Sequence, residues 1–454
     1  MKSLMGSELP LQEHRQLLIG FSGGLDSTVL LHKLSLLRES QGLTLRAVYI
    51  HHGLSDHADE WLVHCQQMCV RLEIPFISRK VHLFGDKGGI EAEARTLRYR
   101  TFMEILAPEE ALVTAHHQDD QCETFLLALK RGSGPAGLSA MPIARQLGAH
   151  WHLRPLLGFS RQQLESYAQD HQLNWIEDES NQDDRYDRNF LRLHTLPQLV
   201  QRWPQFARSV ARSAELCGEQ EALLDELLAS ALQSCTAEDS SIDISYLASC
   251  TEQKRNALLR RWLVQCGSRL PSRQALARLW HEVALSRKDA CPQLMLEQGY
   301  VRRYQQRLYF GRVFSELRGS TLPWSVPAIP FVLPDNLGKL HLHPVLTAER
   351  HLRMPTNEES VSVRFGQSAY LHLVGREGGR SLKKIWQEKG VPTWLRESIP
   401  LIYYDEELIC APGIFITHAG LSSEKAKYCI EWSEIDPELK PWISFSSENM
   451  TSFA

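Results

Sequence analysis

Residues 16–27 read QLLIGFSGGLDS, an apolar run that breaks into Ser22-Gly23-Gly24-Leu25-Asp26-Ser27 and resumes as STVLLHKLSLL over residues 27–37. The first run predicts a buried strand, and the later spacing predicts a helix. Between them, two glycines let the backbone turn tightly and let a ligand approach with no Cβ in the way. The amides that open a helix carry partial positive charge, so the turn suits a phosphate or pyrophosphate, with the Ser22 and Ser27 hydroxyls as further donors. Asp26 would repel that anion unless a divalent cation lay between carboxylate and phosphates, an arrangement magnesium favours. The plainer alternative is an ordinary Gly-Gly turn capped by Asp or Ser. No G-x-x-x-x-G-K-[ST] string occurs, which excludes a Walker-type ATPase.

Outward from this stretch, similar runs alternate with amphipathic ones. Residues 45–50 (LRAVYI), 75–83 and 111–115 (ALVTA) predict further strands, and residues 59–72, 90–106 and 119–129 predict the helices that follow them. The repetition predicts an α/β fold, a doubly wound parallel sheet with helices on both faces, in which ligands sit beyond the carboxyl ends of the strands. Chemistry is therefore sought just after Phe21, Ile50 and Ala115. Past residue 154 the pattern thins into helical stretches at 160–171 and 197–230. Residues 220–244 carry six acidic and no basic side chains, whereas residues 251–320 hold 14 Lys and Arg against 5 Asp and Glu. A connector with five prolines spans residues 323–344. We expect a catalytic domain over residues 1–198, a mainly helical linker and basic domain over 199–335, and a small C-terminal α/β domain over 355–445.

The 454 residues carry 50 Lys and Arg against 54 Asp and Glu, a net charge of −4. That excludes a globally basic nucleic-acid coat protein, though not a local basic face. No run of about eighteen apolar residues occurs, so no membrane-spanning helix is expected. The residues after Met1 lack an export-signal pattern. Ten cysteines fall without a Cys-x-x-Cys pair, so we expect reduced thiols in a cytoplasmic protein rather than disulfides or a metal cluster.

Residues 115–124 read AHHQDDQCET and follow the fourth strand. A helix starting near Asp119 places Asp120 and Glu123 three apart on one face. Two carboxylates at a phosphate-binding edge favour a metal contact or a base for an attacking amine. His116, four residues before Asp120, would orient it or touch a nucleotide. The alternative is an N-cap at Asp119 or Asp120 with Glu123 completing a capping box, beside structural histidines.

The turn at residues 22–27 resembles the PP-loop of N-type ATP pyrophosphatases, a superfamily that cleaves ATP to AMP and pyrophosphate while adenylating a substrate oxygen. It includes NAD, GMP and argininosuccinate synthetases, tRNA thiolases and tRNA(Ile)-lysidine synthetases. The string through residues 115–138 resembles the signature of the last group. So do residues 91–100 (EAEARTLRYR), 154–157 (RPLL), 175–181 (WIEDESN), 188–192 (RNFLR) and 379–396 (GRSLKKIWQEKGVPTWLR), which together cover nearly all of the chain in order.

This resemblance implies that the wobble cytidine of a minor isoleucine tRNA with a CAU anticodon is converted to lysidine, with ATP, L-lysine and Mg2+, through an adenylated cytidine. On matching positions it implies ATP binding at Ser22, Gly23, Gly24, Leu25, Asp26 and Ser27, and metal contacts from Asp26 and Asp120. It implies catalytic roles for Asp26, Arg95, His116, Asp120 and Glu123. Glu123 would support Asp120 or accept a proton, His116 would face the nucleotide, and Arg95 would stabilise developing negative charge. Arg98 competes for that last role, and a surface pair with Glu91 is the alternative for Arg95. A homodimer is a further implication.

RNA must also be held, and arginines suit phosphates. Arg188 and Arg192, the Arg302, Arg303 and Arg307 group, and Arg376, Arg380, Lys383, Lys384 and Arg396 are the candidate tRNA contacts. Trp386 and Trp394 would either stack on bases or fill the core. Two rival readings stand beside this one. An adenylating ligase acting on a small metabolite has no use for the basic segment. Against a non-enzymatic tRNA-binding protein with a relic nucleotide site stands the intact string at residues 22–27.

Overall fold

The computed structural model describes residues 9–53, 55, 57–82, 90–287, 290–325, 329–344, 351–375, 378–422 and 428–443, with residues 90–92 described by backbone alone. Two compact units divide the chain, residues 1–227 and 228–454.

The first unit is built on β1 (Gln16–Gly20), whose Leu17, Leu18 and Ile19 are fully buried. Leu17 and Ile19 face one core, and Leu18 faces another with Val48, Phe102 and Leu112. A strand packed on both faces needs a continuous apolar run, which is why QLLIGF shows no alternation. Around it come α1 (Leu25–Gln41), β2 (Thr44–His51), α2 (Ala58–Arg71), β3 (Phe76–Lys80), α3 (Ile90–Ile105), β4 (Ala111–Val113) and α4 (Gln118–Lys130). Then follow the short α5 (Pro135–Leu138), β5 (Ala144–Leu147), β6 (His150–Leu153) and α6 (Arg161–Asp170). The sheet order is β3-β2-β1-β4-β6-β5, parallel throughout except for the edge strand β5. The doubly wound α/β expectation holds, and the strand order reverses at β1, where such sheets open a crevice for ligands. Beyond α6, α7 (Asp187–Phe190), a π turn (Leu191–Thr195) and α8 (Leu196–Arg202) run on continuously. The 30-residue α9 (Phe206–Cys235) then carries the chain into the second unit.

The second unit opens with β7 (Ile242–Asp243), α10 (Ile244–Ser249), α11 (Glu252–Gln265) and α12 (Arg273–Arg278), then β8 (Gln293–Leu296), β9 (Gly299–Tyr304) and β10 (Arg307–Gly311). Leu258, Leu259, Trp262 and Leu263 form the buried stripe of α11. The basic segment is less helical than its sequence suggests, because β8, β9, β10 and β7 form an antiparallel sheet. Arg302 and Arg303 in β9 (GYVRRY) mask the strand alternation, and the hairpin turns at Gln305 with φ +53°.

The remainder is strand-rich. It runs through β11 (Thr321–Pro323), β12 (Phe331–Val332), β13 (Lys339–Pro344), β14 (Val361–Arg364), β15 (Tyr370–Leu371) and β16 (Arg380–Ser381) to α13 (Leu382–Glu388). β17 (Leu401–Tyr404), β18 (Glu407–Ala411), β19 (Phe415–Ile416) and β20 (Tyr428–Ser433) complete it. A five-stranded sheet (β11-β14-β17-β18-β19) and a three-stranded one (β12-β13-β20) enclose a core of Trp324, Phe365, Trp386, Tyr404 and Trp432.

Trp262 is fully buried and donates its indole N–H to Ser240 O at 2.7 Å. Trp262→Ala should lower stability by about 3–5 kcal/mol through lost burial and the cavity left behind. Urea denaturation checks this, and an unchanged midpoint would contradict the assigned packing.

Candidate active site

The helix that follows the glycine turn begins at Gly24 with no side-chain cap. The capped-turn alternative therefore fails, and among the described residues no side chain caps the first-turn amides. Within the turn, Ser22 Oγ and Ser27 Oγ lie 3.1 Å apart, and Ser27 Oγ donates to Gly24 O at 3.0 Å. Gly23 has φ +80°, and a Cβ there would sit 2.5 Å from Ile176 Cδ1 and 2.9 Å from Cys65 Sγ. Ile176 N donates to Gly23 O at 2.9 Å, so the WIEDESN stretch braces the turn from behind.

Asp26 projects from the first turn of α1 and receives both carboxylate contacts of Arg161 Nη1, at 3.2 and 3.1 Å. His117 Nε2 lies 3.6 Å from Asp26 and 3.4 Å from Asp120, while its Nδ1 lies 3.5 Å from Asp119. The turn and the AHHQDDQCET string thus meet over one buried imidazole. Burial alone would strip that ring of charge, but Asp120, Asp119 and Asp26 outweigh it and push its pKa up to about 10. His117 Nδ1 also accepts from Asp119 N at 3.2 Å, a bond that needs the neutral ring. The two demands conflict. Four carboxylates (Asp26, Asp119, Asp120, Glu123) face three guanidiniums (Arg161, Arg188, Arg192) here, so an imidazolium balances the cluster, and we assign His117 as charged. Asp120 is held below the ordinary carboxylate range: burial opposes this, but the His117 ring and the His117 N–H bond at 3.0 Å prevail.

Capping exists at α4, though not where the sequence suggested. Asp120 accepts from His117 N at 3.0 Å, so the pairing is His117 with Asp120 and not Asp119 or Asp120 with Glu123; the reciprocal bond to the His117 ring is given up when that ring is protonated. Glu123 is fully buried and clamped by Arg192 Nε at 2.8 Å and Nη2 at 3.1 Å, with Arg188 Nε at 3.0 Å. Burial raises its carboxyl, but the bidentate contact favours the anion, and the geometry decides for an ionised pair. Arg192 Nη2 also reaches Asp120 Oδ1 at 3.1 Å, and Arg188 Nη2 donates to Thr124 at 2.8 Å. Both arginines of RNFLR are therefore turned inward onto α4.

His116 lies on a different chain of contacts. Its Nδ1 is 2.8 Å from Thr114 Oγ1, which is 2.8 Å from His152 Nε2, and His152 Nδ1 is 3.0 Å from Arg154 Nη2. Burial first, then Arg154, pushes His152 down to about 2, and burial likewise takes His116 down to about 3. Arg154 is itself buried without a carboxylate partner among the described residues, which brings it down to about 10. Arg95 is exposed, stacks on Tyr99 at 5.3 Å and adds positive potential at His116 and His152. Arg98 instead points its Nε to His52 Nε2 at 3.4 Å.

Magnesium takes one or two carboxylates and completes its shell with phosphates and waters. Asp26 and Asp120, on either side of one imidazole nitrogen, fit that requirement. Among the described residues no group of three or more His, Cys, Asp or Glu forms an all-protein metal cage.

The proposed RNA contacts divide. Arg303 is committed to the carbonyls of Ala284, Ser286 and Gln305, and Arg307 to Ser241, Cys235 and Asp243. Arg396 donates to Val391 O from two nitrogens. Arg302 stacks over Tyr300 at 4.1 Å and Trp394 at 5.4 Å, lining a small cleft with Gln293 and Thr393. Lys383 and Lys384 are exposed, Arg380 lies 3.8 Å from Glu388, and Trp386 is core, packed on Phe415. Arg376 lies outside the described residues.

Comparison with known proteins matches a PP-loop domain at residues 1–199, a TilS substrate binding domain at 242–309 and a TilS substrate C-terminal domain at 361–432. The tRNA(Ile)-lysidine synthase of Serratia proteamaculans is 54% identical over 417 residues, covering 91% of this chain and 94% of its own. That of Proteus mirabilis is 53% identical, covering 92% and 95%. Among solved structures, the U34-tRNA thiolase NcsA of Methanococcus maripaludis aligns with 47% of this chain and 75% of its own at a TM-score of 0.39 and 16% identity. No helix among the described residues is long and apolar enough to cross a membrane.

Glu123→Ala should destabilise the protein by about 3–5 kcal/mol, because it removes the buried carboxylate that two guanidiniums share. Arg95→Ala, at an exposed position, should stay within about 0.5 kcal/mol of the parent. Thermal denaturation distinguishes the two, and equal losses would contradict the clamp.

Proposed function

The chain belongs to the tRNA(Ile)-lysidine synthase family, and on that premise we infer that it is a ligase that forms lysidine in tRNA(Ile) with ATP. The observation that carries the reading is local: an uncapped glycine turn whose Asp26 meets Asp120 of the second motif across one imidazole.

The chemistry requires an activated leaving group. Cytosine O2 attacks the α-phosphorus of ATP, and pyrophosphate departs. The ε-amine of free lysine then adds to ring carbon 2, and AMP leaves with the former carbonyl oxygen as the amine gives up a proton. We assign Ser22, Gly23, Gly24, Leu25 and Ser27 to the pyrophosphate end. Asp26 and Asp120 would hold Mg2+, whose charge offsets that of the phosphates. Arg95, on the exposed face of α3, stabilises charge developing during transfer. Glu123 is assigned a positioning role, because its carboxylate already serves Arg188 and Arg192. Those two arginines support Asp120 in this account rather than the tRNA.

For RNA, we assign phosphate contacts to Arg302, Arg380, Lys383 and Lys384 in the second unit, with Arg376 added on its sequence position. Arg303, Arg307 and Arg396 hold their own modules together. The segments 199–335 and 355–445 are the proposed tRNA-binding parts beside a catalytic 1–198. The CAU anticodon, L-lysine as the amine, cytoplasmic location and a homodimer complete the proposal. The matches to two substrate modules support it over a metabolite ligase.

Asp26→Ala should abolish lysine- and tRNA-dependent pyrophosphate release while tRNA binding persists, and retained activity would contradict the assignment. Replacing Arg302, Lys383 and Lys384 together by Ala should weaken tRNA binding and flatten its dependence on salt concentration. Filter binding across a salt series checks this, and an unchanged slope would place the RNA elsewhere.

A further inference from the structure

An arginine side chain only donates hydrogen bonds, and this fixes the direction of the chain that ends at His116. Arg154 Nη2 lies 3.0 Å from His152 Nδ1, so that nitrogen accepts and the single proton of the neutral ring sits on Nε2. His152 Nε2–H therefore donates to Thr114 Oγ1 at 2.8 Å. Thr114 has one hydroxyl proton, and with His152 as its donor it gives that proton's bond to His116 Nδ1, also at 2.8 Å. His116 is left with its proton on Nε2, which makes no hydrogen bond to any described residue.

We propose that Arg154, His152 and Thr114 are positioning residues that lock His116 into the Nε2–H form, so that His116 acts as a neutral hydrogen-bond donor to an oxygen of the bound nucleotide and not as the base that deprotonates the amine. Burial supports the arrangement. His152 is fully buried, Arg154 is 2% exposed, and Arg154 Nη1 is anchored on Pro142 O at 2.8 Å, so the source of the polarity has little freedom to swing away. Tyr99 packs edge-on to the His152 ring at 5.6 Å and closes the other side. The donor stands two residues beyond Thr114, at the carboxyl end of β4, where a parallel sheet places its ligands. A donor held in place before the reaction stabilises charge that grows on an oxygen without reorganisation. The acceptor is a phosphate oxygen of ATP or the carbonyl oxygen of cytosine.

The inference rests on the nucleotide reading above for its ligand, but the tautomer itself does not. Nitrogen NMR of the ligand-free, histidine-labelled protein, with His116 identified by its loss in His116→Gln, should show Nδ1 unprotonated and Nε2 protonated. Thr114→Val should abolish that preference. A protonated Nδ1 in the parent would overturn the proposal whatever the substrate is. In turnover, Thr114→Val should lower kcat about ten- to a hundredfold, as loss of an orienting partner does, and Thr114→Ser should recover most of the loss. His116→Gln carries an amide N–H near the Nε2 position and should retain at least about tenfold more activity than His116→Ala. Equal inactivity of the Gln and Ala variants, while pyrophosphate release by the parent is intact, would return His116 to a base. Affinity for a non-hydrolysable ATP analogue separates the acceptors: a weaker analogue in His116→Ala puts the oxygen on ATP, and an unchanged one with lowered kcat puts it on cytosine.

Discussion

Negative charge gathered at the carboxyl end of one parallel sheet is the constraint on which the rest of the first unit depends. Asp26, Asp119, Asp120 and Glu123 converge where pyrophosphate would be held, and in the folded chain cations brought from far away in sequence make that tolerable. Arg161 is 135 residues from Asp26, and Arg192 is 69 residues from Glu123 and 72 from Asp120. These contacts tie α6 and the α7–α8 stretch to the carboxyl edge of the sheet. Removing one partner from such a set leaves an uncompensated buried charge, which costs far more than the pair contributes.

The same logic separates two neighbouring histidines. His117 is ringed by carboxylates and is charged; His116, one residue earlier, is neutral because burial, helped by Arg154, Arg188 and Arg95, outweighs the pull of Asp120. One β-strand end thus presents two imidazoles with opposite electrostatic characters. The difference comes from which sheet neighbour each ring meets: the glycine turn after β1 for His117, and Thr114 with β6 for His116.

Much of this was legible in the chain. QLLIGF, LRAVYI and ALVTA are strands because parallel sheets bury both faces, and the residues directly after the first and third of them make up the candidate site, whereas His51 and His52 after the second take no part in it. What the sequence hid was partnership. Arg161 follows an ordinary Ser160 helix cap, and nothing local shows that its guanidinium reaches Asp26. Arg188 and Arg192 read as candidate tRNA contacts, yet they clamp Glu123. Arg303 and Arg307 contributed to a conspicuous positive segment, but their donors are used on backbone carbonyls and on the side chains of Gln306, Ser241 and Asp243. Sign and count of charges revealed the basic module; which charges remain available to RNA depends on hydrogen bonds between residues distant in sequence. The strand alternation of β9 was masked for a related reason, because its arginines occupy both faces.

The central claim is that ATP is opened at its α-phosphorus by the carbonyl oxygen of a cytidine. Transfer RNA carrying heavy oxygen at that carbonyl, incubated with the enzyme, ATP and lysine, tests it most directly. The account predicts lysidine in the RNA, with the heavy oxygen recovered in the phosphate of AMP. Unlabelled AMP accompanying lysidine, or ADP as the nucleotide product, would contradict it.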